Sequence, residues 1–480
     1  MIGITSYSAY IPWYRLSRAK MNEATGFLMT FPTPGERSVA NQNEDSVTMA
    51  TAAGFYCLEG EDRDKVGGLY FATSTPSYLV RQQASIVSTA LDLREDIRVA
   101  DFASGSKAGT TALMNALDAV KAGSMKSAVV TAADCRVVKP GNPQEYVYGD
   151  GAAAIMVGQD KVVAELEATY SLSVDFVDRW RAVYEDFEHG WEERWIRDEG
   201  YEKLIPRAIE GMLKQQGLAA GDIAKVIICY PLARPHANLA KKLGFQPAQV
   251  QDHLMEKVGD TCAAHPLLML VGALEEAKPG DRILVSSYGQ GVDVLLFKVT
   301  DKIASGRDKW GLKKALARRK ELESWERYAS MRGAVKFYLG AREGEYGFPS
   351  SSLAWRERKQ ISRLYGYKCR KCGTAQFPPR RICVNPNCKA IDQMEDYRFS
   401  TLTGKVFSFV VDYNVYVPVP PVVHAYINFD GGGRIQMQVV DADPYSVQIG
   451  MPVEMTYRRK QVDVPRGVSI YYWCATPVRQ

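Results

Sequence analysis

Residues 101–117, DFASGSKAGTTALMNAL, are typical of a β-strand that ends in a turn of small residues and continues as an amphipathic helix. Such a turn presents its side chains at the amino terminus of the helix, where the helix dipole favours negative charge. The turn offers the hydroxyls of Ser104 and Ser106 and contains no thiol. The stretch therefore predicts an α/β fold in which two serine hydroxyls lie at the start of a helix.

The same order of elements occurs twice in the first 300 residues. A helix-forming stretch, a short apolar strand, a glycine-bearing turn and another apolar strand follow one another in residues 112–158 and again in residues 267–300. Strands that alternate with helices indicate βαβ units in a layered fold. We therefore predict a duplicated α/β fold with α-β-α-β-α layers and halves at 1–165 and 166–300. Each half is expected to provide one sheet, packed against shared central helices.

The composition is typical of a soluble globular protein, since 46% of the 480 residues are hydrophobic and 24% are charged. The sequence has no uninterrupted apolar run of about 18 residues and no signal-peptide pattern, so we expect a cytoplasmic location. The net charge of +5 is regional, because residues 301–365 hold sixteen Lys or Arg and eight Asp or Glu. This block predicts a basic helical linker, either solvated or lending cations to an anionic cofactor.

Four of the nine cysteines lie in one short window of the sequence. Their spacing is C-x2-C-x10-C-x4-C, which is the ligand arrangement of a zinc ribbon, and they are Cys369, Cys372, Cys383 and Cys388. Four thiolates complete a tetrahedral coordination sphere, so the predicted zinc is structural and takes no part in catalysis. We assign the ribbon to residues 366–398.

Residues 399–480 contain short strands of alternating hydrophobicity, separated by Gly and Pro turns. This pattern favours a small closed barrel, most simply an OB-fold. OB-folds that bind nucleic acid combine a basic groove with stacking aromatic rings. The strands here are not rich in Lys or Arg, so nucleic acid is not expected and we favour core and interface roles for Tyr413, Tyr416, Tyr471, Tyr472 and Trp473.

A family resemblance rests on motifs that occur in the family's order and at similar spacing: FATSTPSYLVRQQASIV (71–87), FASGSKAGTTAL (102–113), YGDGAAAIMVG (148–158), KKLGF (241–245) and PGDRILVSSYGQG (279–291). They resemble hydroxymethylglutaryl-CoA synthase, in particular its archaeal form, within the thiolase superfamily. The resemblance implies a thiolase-type homodimer, a pantetheine tunnel to a buried site, and chemistry at a C–C bond beside a CoA thioester. Residues 366–480 resemble the zinc-ribbon and OB-fold proteins that accompany thiolase-type enzymes, which implies a partner acyl-CoA enzyme.

The resemblance also implies a catalytic cysteine, glutamate and histidine, and all three are replaced. Alignment on KAGT puts Ser106 at the cysteine position, and Ser74 of ATSTPSY stands at the glutamate position. The histidine position falls on Cys229 or Tyr230. A helix amino terminus can ionise a thiol but not an alcohol, so a serine nucleophile needs an adjacent base. We therefore expect no covalent acyl-enzyme intermediate of the kind that the relatives form.

A different set of polar groups is predicted to surround the site. The asparagine that helps to hold a thioester oxygen in the family is here Asp260, followed by Cys262 and His265 in GDTCAAHP (259–266). An ionised carboxylate cannot donate a hydrogen bond, so Asp260 suits a base or a group that orients His265. The resemblance adds Tyr148 and Tyr288, whose YGDG and YGQG motifs abut the active site in this fold.

These residues favour an aldol or retro-aldol reaction of a β-hydroxyacyl-CoA, in which a base takes the hydroxyl proton and N–H groups stabilise the thioester enolate. One alternative is a condensing acyltransferase that uses Ser106 or Cys262 as nucleophile. An alternative of another class is a non-catalytic acyl-CoA-binding scaffold for a partner thiolase. We predict that Arg234, Lys241 and Lys242 contact the CoA phosphates, although the two lysines suit a solvated helix face equally well.

Overall fold

A computed structural model describes residues 1–28, 34–103, 105–231, 233–306, 309–338, 350–463 and 466–479, without the side chains of residues 233 and 234. The chain divides into two compact units. Unit 1 comprises Met1–Asn41 with Asp45–Val335, and unit 2 comprises Gln42–Glu44 with Lys336–Gln480.

The strands described in unit 1 are β1 (Gly3–Tyr10), β2 (Tyr14–Ser17), β3 (Glu36–Val39), β4 (Gly68–Thr73), β5 (Arg98–Ala103), β6 (Ser127–Asp134), β7 (Gly151–Gly158), β8 (Ala164–Ser173), β9 (Arg179–Trp180), β10 (His189–Gly190), β11 (Lys225–Ile228), β12 (Arg282–Tyr288), β13 (Gly291–Val299) and β14 (Lys320–Glu321). A nine-stranded sheet has the order β11-β12-β13-β8-β1-β7-β6-β4-β5. Smaller sheets join β14-β2-β3 and β10-β9.

The nine-stranded sheet consists of two half-sheets, one from each predicted half of the chain. They are joined at β1 and β8, where only Gly3 pairs with Glu165 and Ile4 with Ala164. We expected two separate sheets, and in the structure they are joined by this short pairing into one. Every residue of β6 and β7 is buried, because both faces of the sheet are covered.

The helices described in unit 1 are α1 (Arg18–Thr25), α2 (Ser46–Cys57), α3 (Ala84–Ala90), α4 (Ala108–Lys121), α5 (Glu193–Trp195), α6 (Glu202–Gln216), α7 (Ala233–Lys242), α8 (His265–Glu276), α9 (Leu312–Ala317) and α10 (Trp325–Met331). Among the described residues, no helix combines the length and apolarity needed to cross a membrane.

Helices α4 and α8 form the central layer of unit 1. Their apolar side chains share one core with β1, β7, β12 and β13, and α8 is apolar on all sides, as expected for a helix covered by protein all round. Gly109 allows α4 to lie close to the segment before α8, since a Cβ there would be 2.1 Å from the Ala263 carbonyl oxygen. Helices α2 and α6 cover the outer faces of the half-sheets. The predicted α-β-α-β-α layering is therefore confirmed.

The predicted linker at residues 301–365 needs correction over its first part. Residues 301–335 belong to unit 1, and Leu312, Ala315, Leu322 and Tyr328 are buried there. The apolar side of this basic stretch packs on the core of unit 1, so these residues are not a solvated connector. Residues 339–349 of the predicted linker lie outside the described residues.

Unit 2 contains the predicted zinc ribbon and barrel. Its elements are α11 (Ser351–Arg356), α12 (Arg358–Ile361), β15 (Tyr365–Cys369), β16 (Ala375–Gln376), β17 (Met394–Arg398), β18 (Gly404–Asp412), β19 (Val422–Phe429), β20 (Arg434–Val439), β21 (Pro452–Asp463) and β22 (Val468–Pro477). Strands β16-β15-β17 form a small sheet, and β18-β19-β20-β22-β21 form a closed barrel. Tyr471 and Trp473 are buried in the barrel, in line with the predicted core role.

Candidate functional site

A small cavity lies in unit 1 at the end of β12, beside the turn that precedes α4. Its volume is about 30 Å³. It is lined by Ser106, Asp178, Arg179, Tyr201, Cys229, Tyr230, Pro231, Met255, Asp260, Cys262, His265, Pro266, Ser287 and Tyr288. The structure thus brings Ser106, Asp260, Cys262, His265 and Tyr288 to one cavity, and their catalytic roles stay a prediction.

Ser106 lies in the turn between β5 and α4, which we call the Ser106 turn (residues 104–107). Its backbone approaches the YGQG motif so closely that a Cβ on Gly289 would be 2.7 Å from the Lys107 nitrogen. Lys107 Nζ lies 2.8 Å from a carboxylate oxygen of the buried Asp293, which fixes the start of α4. Ser104 lies outside the described residues.

The Ser106 hydroxyl has no base bound to it among the described residues. Ser106 lines the cavity, and its hydroxyl forms no hydrogen bond to a side chain that the structure describes. A serine hydroxyl remains protonated at neutral pH unless a neighbouring group takes its proton. Ser106 is therefore poorly equipped to attack a thioester.

Ser74 stands at the position of the family's glutamate, and its backbone N–H donates a hydrogen bond to the neighbouring Asp134 carboxylate. Asp134 at the end of β6 is fully buried and accepts hydrogen bonds from the backbone N–H groups of Ser74 at 2.7 Å and Thr75 at 2.9 Å. Its second oxygen accepts one from the Ala263 N–H at 2.9 Å. Burial raises the pKa of Asp134, and these hydrogen bonds oppose the rise. Asp134 thus fixes two loops around the site.

Asp260 belongs to a network of charged side chains that we call the Asp260 corner (Asp260, Arg136, Glu188 and Tyr148). One Asp260 oxygen accepts the Cys262 N–H at 2.8 Å, and the other lies 3.3 Å from Arg136 Nη1. Burial favours the neutral acid, but the Arg136 charge and the hydrogen bond from Cys262 outweigh it, so the pKa of Asp260 is lowered. Asp260 is therefore an ionised carboxylate at the cavity wall.

Arg136 occupies the centre of this corner, and each of its three guanidinium nitrogens has a hydrogen-bond partner. Its Nε lies 2.9 and 3.0 Å from the two oxygens of Glu188, and its Nη2 donates to Glu188 and to the Tyr148 hydroxyl. The guanidinium also lies 3.4 Å from the centroid of the Tyr148 ring. Tyr148 therefore packs against Arg136 and hydrogen-bonds to it. The sequence led us to expect Tyr148 on the cavity wall, and the structure does not place it there.

Tyr288 presents a phenol to the opposite side of the cavity. Its ring centroid lies 4.5 Å from that of Tyr201, which in turn lies 4.7 Å from that of Tyr230. The Tyr288 hydroxyl is buried and has no hydrogen-bond partner among the described residues. Burial and the nearby Asp178 raise its pKa, so it is a neutral proton donor. Buried polar groups are almost always paired, so this hydroxyl is a candidate contact for a ligand.

His265 lines the cavity, but both of its ring nitrogens are engaged elsewhere. Nδ1 accepts the Thr261 N–H at 3.3 Å and Nε2 donates to the His253 carbonyl at 3.1 Å. Burial lowers the pKa of His265, so the imidazole is neutral. No hydrogen bond joins it to Asp260 among the described residues, so the expected orientation of His265 by Asp260 is not seen.

The two cysteines of the cavity are thiols at neutral pH. Burial raises the pKa of Cys262 to about 12, and it also raises the pKa of Cys229. Because the thiolate is the nucleophilic form, neither residue is activated for attack.

Sequence analysis missed the charged residues that surround Asp260. Asp178, Arg179 and Glu188 lie in the segment between β8 and α6, which we call the insert (residues 174–201), and Arg136 lies two residues after the end of β6. The insert is rich in Trp and in charged residues, a composition that suits a surface loop as well as a segment of a site. Only in the folded structure does the insert lie over the cavity. No spacing rule in the sequence carries that information.

The predicted CoA-binding cations are exposed or outside the described residues. Lys241 and Lys242 are exposed in the last turn of α7. The Arg234 side chain lies outside the described residues. The proposal that these three residues contact CoA phosphates stays a prediction.

The four cysteines of unit 2 form a metal site. Cys369, Cys372, Cys383 and Cys388 place their sulfur atoms within 4.8 Å of one another. The Cys369–Cys388 and Cys372–Cys383 sulfur pairs are 3.9 and 3.5 Å apart, and zinc bound tetrahedrally at 2.3 Å requires about 3.8 Å. The set fits a structural zinc with no open coordination position.

Family models match three parts of the chain. They are the 3-oxoacyl-[acyl-carrier-protein] synthase III C-terminal domain at residues 213–296, the ChsH2 rubredoxin-like zinc ribbon domain at 356–394 and the ChsH2 C-terminal OB-fold domain at 397–458. Together with the layered fold and the buried cavity, they define an enzyme of the thiolase superfamily that carries a zinc ribbon and an OB-fold.

Curated relatives identify the family more closely. The chain is 33% identical to hydroxymethylglutaryl-CoA synthase of Methanopyrus kandleri over 346 residues, covering 70% of this chain and 98% of the relative. It is 30% identical to the Methanosarcina barkeri enzyme, covering 70% and 99%. The chain belongs to the hydroxymethylglutaryl-CoA synthase family, as the motifs predicted.

Solved structures agree with this fold. MvaS in complex with 3-hydroxy-3-methylglutaryl coenzyme A is 22% identical with a TM-score of 0.61, covering 72% of this chain and 94% of MvaS. A hydroxymethylglutaryl-CoA synthase complexed with CoA is 21% identical with a TM-score of 0.62, covering 73% and 94%.

Proposed function

We propose that this protein makes or breaks a C–C bond beside a CoA thioester, without a covalent acyl-enzyme intermediate. The leading candidate is a condensation like that of hydroxymethylglutaryl-CoA synthase, since the relatives that match over 70% of the chain carry that name. The structural neighbours that bind CoA or 3-hydroxy-3-methylglutaryl-CoA support a CoA thioester as substrate.

The observation that carries the proposal is a pair of cavity residues whose pKa values move in opposite directions. The pKa of Asp260 is lowered and the pKa of Tyr288 is raised, so one is an ionised base and the other a neutral acid. Two groups separated in this way are suited to the base and acid roles of one reaction. Both side chains line the same cavity.

In the condensing direction, Asp260 takes the proton from the carbon next to the thioester carbonyl. The Tyr288 hydroxyl donates a hydrogen bond to the thioester oxygen as it gains enolate charge. The enolate carbon then attacks the keto group of the second substrate, and the resulting alkoxide takes back the proton from Asp260. Where the second substrate is acetoacetyl-CoA, water then hydrolyses one thioester and releases CoA. Arg136 holds the Asp260 carboxylate in place and keeps it ionised until it takes the proton from the substrate carbon.

A second candidate function is aldol cleavage of a β-hydroxyacyl-CoA, our first interpretation of the sequence. It is favoured by the absence of an activated nucleophile among the described cavity residues, because cleavage needs only a base for the hydroxyl proton and donors for the enolate oxygen. The same Asp260 and Tyr288 serve both directions.

Product analysis tests the proposal. The purified protein is incubated with acetyl-CoA plus acetoacetyl-CoA, and separately with 3-hydroxy-3-methylglutaryl-CoA, and thioesters are followed by liquid chromatography and mass spectrometry. We expect turnover in at least one direction, reduced about a thousandfold by Asp260→Asn. Asp118→Asn, an exposed change on α4, is the matched control. Equal turnover by both variants contradicts the role of Asp260, and binding of thioesters without turnover would favour the scaffold alternative.

The homodimer, the partner acyl-CoA enzyme and the cytoplasmic location stay predictions from the sequence and the resemblance. Size-exclusion chromatography with light scattering tests the first of these directly, because a thiolase-type dimer doubles the mass of the 53.4 kDa chain.

A further inference from the structure

Helix α10 contacts the loop that carries two members of the Asp260 corner. This loop, residues 135–150, joins β6 to β7 and contains Arg136 and Tyr148. No residue of α10 is among the described residues that line the cavity. The contacts between α10 and the 135–150 loop can therefore act on a substrate only through the loop.

Arg332 directly follows α10 and contacts both ends of the 135–150 loop. Its Nη2 donates a hydrogen bond of 2.8 Å to the Cys135 carbonyl at the start of the loop. Its Nε lies 3.7 Å from an Asp150 oxygen at the end of the loop. Only 7% of the Arg332 side chain is exposed, and Asp150 is fully buried. One buried guanidinium therefore holds the two ends of the loop together.

The contact with Cys135 bears directly on the direction of the Arg136 side chain. The Cys135 carbonyl and the Arg136 nitrogen belong to the same planar peptide group. The Cys135 N–H donates to the Thr75 hydroxyl at 3.1 Å, so Cys135 is held at its nitrogen and at its carbonyl. These two hydrogen bonds fix the backbone from which the Arg136 side chain reaches Glu188 and Asp260.

A second set of contacts holds the middle of the same loop. Trp325 Nε1 donates a hydrogen bond of 3.1 Å to a carboxylate oxygen of the buried Glu145. The Tyr328 hydroxyl accepts one of 3.1 Å from Arg37 Nη1, which also donates to the Glu145 carbonyl at 2.9 Å. Hydrogen bonds have strict geometry, so these contacts fix the position of the loop more closely than apolar packing alone.

We propose that Arg332 is a positioning residue, which acts through the Cys135 peptide to hold Arg136 against Asp260. This inference rests on the proposed function, in which Asp260 is the base. It gives a role to the end of α10, in the basic segment that follows residue 300. Arg332 is not among the described residues that line the cavity, so its loss should slow the chemical step and leave the affinity for substrate unchanged.

The titration of Asp260 tests this role without requiring turnover. The full-length protein is labelled with aspartate that carries ¹³C at the side-chain carboxyl, and the Asp260 signal is the one that Asp260→Asn removes. Burial acts to raise the pKa of Asp260, and Arg136 is the largest of the influences that lower it, with His265 and Arg179 acting in the same direction. We expect Arg332→Gln to displace Arg136 and to raise the pKa of Asp260 by about one unit or more.

Steady-state kinetics gives a second readout. Arg332→Gln should lower kcat about ten- to a hundredfold, because displacement of a catalytic group by about 1 Å costs up to about a hundredfold. KM should stay within about twofold. A folding defect alone would lower the amount of active protein without changing the pKa of Asp260.

Two further variants separate positioning from folding. Arg327→Gln is the matched control, since Arg327 lies on the same helix, is 34% exposed and pairs with Glu323 at 3.3 Å. Within the described residues it forms no hydrogen bond or ion pair with the 135–150 loop, so neither readout should change. Arg332→Lys keeps the charge but not the fork of donors, so it should show a smaller rise in the pKa of Asp260 and a partly recovered kcat.

The outcomes distinguish the two proposals. An unchanged pKa of Asp260 in Arg332→Gln, or an equal rise in Arg327→Gln, overturns the positioning role and leaves the proposed function standing. Where Arg332→Gln fails to fold, an unchanged pKa in Arg332→Lys has the same meaning. Absence of turnover by the natural protein contradicts the proposed function, while the titration still decides the role of Arg332.

Discussion

The Ser106 turn and the Asp260 corner meet at the same cavity. The turn has the supporting contacts of a reactive site, and the corner has the charged groups. The turn keeps its supporting contacts, with Lys107 bound to Asp293 at 2.8 Å and Gly289 against the backbone. Its own hydroxyl has no base bound to it in the part of the chain that the structure describes. The corner instead groups Asp260, Arg136 and Glu188 within hydrogen-bonding distance.

This difference teaches that the backbone frame and the reactive groups of a site are separable. The frame at Ser106 depends on close packing and one buried ion pair, which a serine satisfies as well as a cysteine. Reactivity depends on local charge, and here the charge lies at the Asp260 corner. The predictions below either remove the corner, alter it or test whether the turn matters.

Arg136→Gln should have the largest effect, because it leaves Asp260 and Glu188 as neighbouring, largely buried carboxylates with no cation between them. We expect turnover to fall by at least about a thousandfold and the free energy of unfolding to fall by about 3 to 5 kcal/mol. Steady-state kinetics and urea unfolding at neutral pH measure the two effects.

The matched control is Arg194→Gln, which removes an arginine that is 84% exposed on the insert. It should change neither quantity measurably, since exposed ion pairs contribute about 0 to 1 kcal/mol. An Arg136→Gln protein with normal turnover would show that the corner is structural scaffolding alone.

Tyr288→Phe should lower kcat about a hundredfold while leaving stability unchanged. The hydroxyl has no partner in the described structure, so its removal deletes no hydrogen bond in the folded protein but removes the donor to the enolate oxygen. Thermal unfolding and kcat are measured together. Tyr184→Phe, at a ring that is 85% exposed on the insert, is the control. Parallel losses of stability and activity would assign Tyr288 to packing.

The pH dependence follows from the direction of the two pKa shifts. The pKa of Asp260 is lowered from 3.8, so the base is ionised, and its stabilising ion pair is intact, at every pH above that value; both are lost as pH falls through the lowered pKa. The pKa of Tyr288 is raised above 10, so the acid stays protonated. We expect kcat to be flat between about pH 5 and 9. An acidic limb centred near pH 6.5 would point to a histidine instead.

Ser106→Ala should have the smallest effect, a change in kcat of less than about threefold, because a hydroxyl without a base contributes no nucleophilic catalysis. Steady-state kinetics measures it. A loss as large as that of Tyr288→Phe would return the chemistry to the Ser106 turn.

The fold and the metal site could be predicted because both leave local patterns in the sequence. The spacing of the four cysteines of unit 2 predicts a zinc site, because it is the spacing of ligands at two hairpin tips. The duplicated pattern of helices and strands likewise predicts the layered core. The helices that follow residue 300 were harder, since Leu312 and Tyr328 are buried within a stretch whose overall charge suggests solvent exposure.

The Asp260 corner could be predicted only in part, because its members are far apart in the sequence. Asp260 was found from its place in a family motif, but Arg136 and Glu188 are 52 residues apart and meet only when the insert folds over the cavity. His265 shows the opposite limit. It lines the cavity, yet the occupation of both ring nitrogens by Thr261 and His253 depends on loop conformation.

The most direct test of the central claim is an intact-protein mass spectrum recorded during turnover. The protein is quenched with acid while product accumulates from acetyl-CoA plus acetoacetyl-CoA or from a β-hydroxyacyl-CoA, and the protein mass is compared with that of the untreated chain. Chemistry through Asp260 and Tyr288 predicts product formation with an unchanged protein mass. A mass increase of one acyl group, mapped to Ser106 or Cys262 and formed as fast as product, would contradict it.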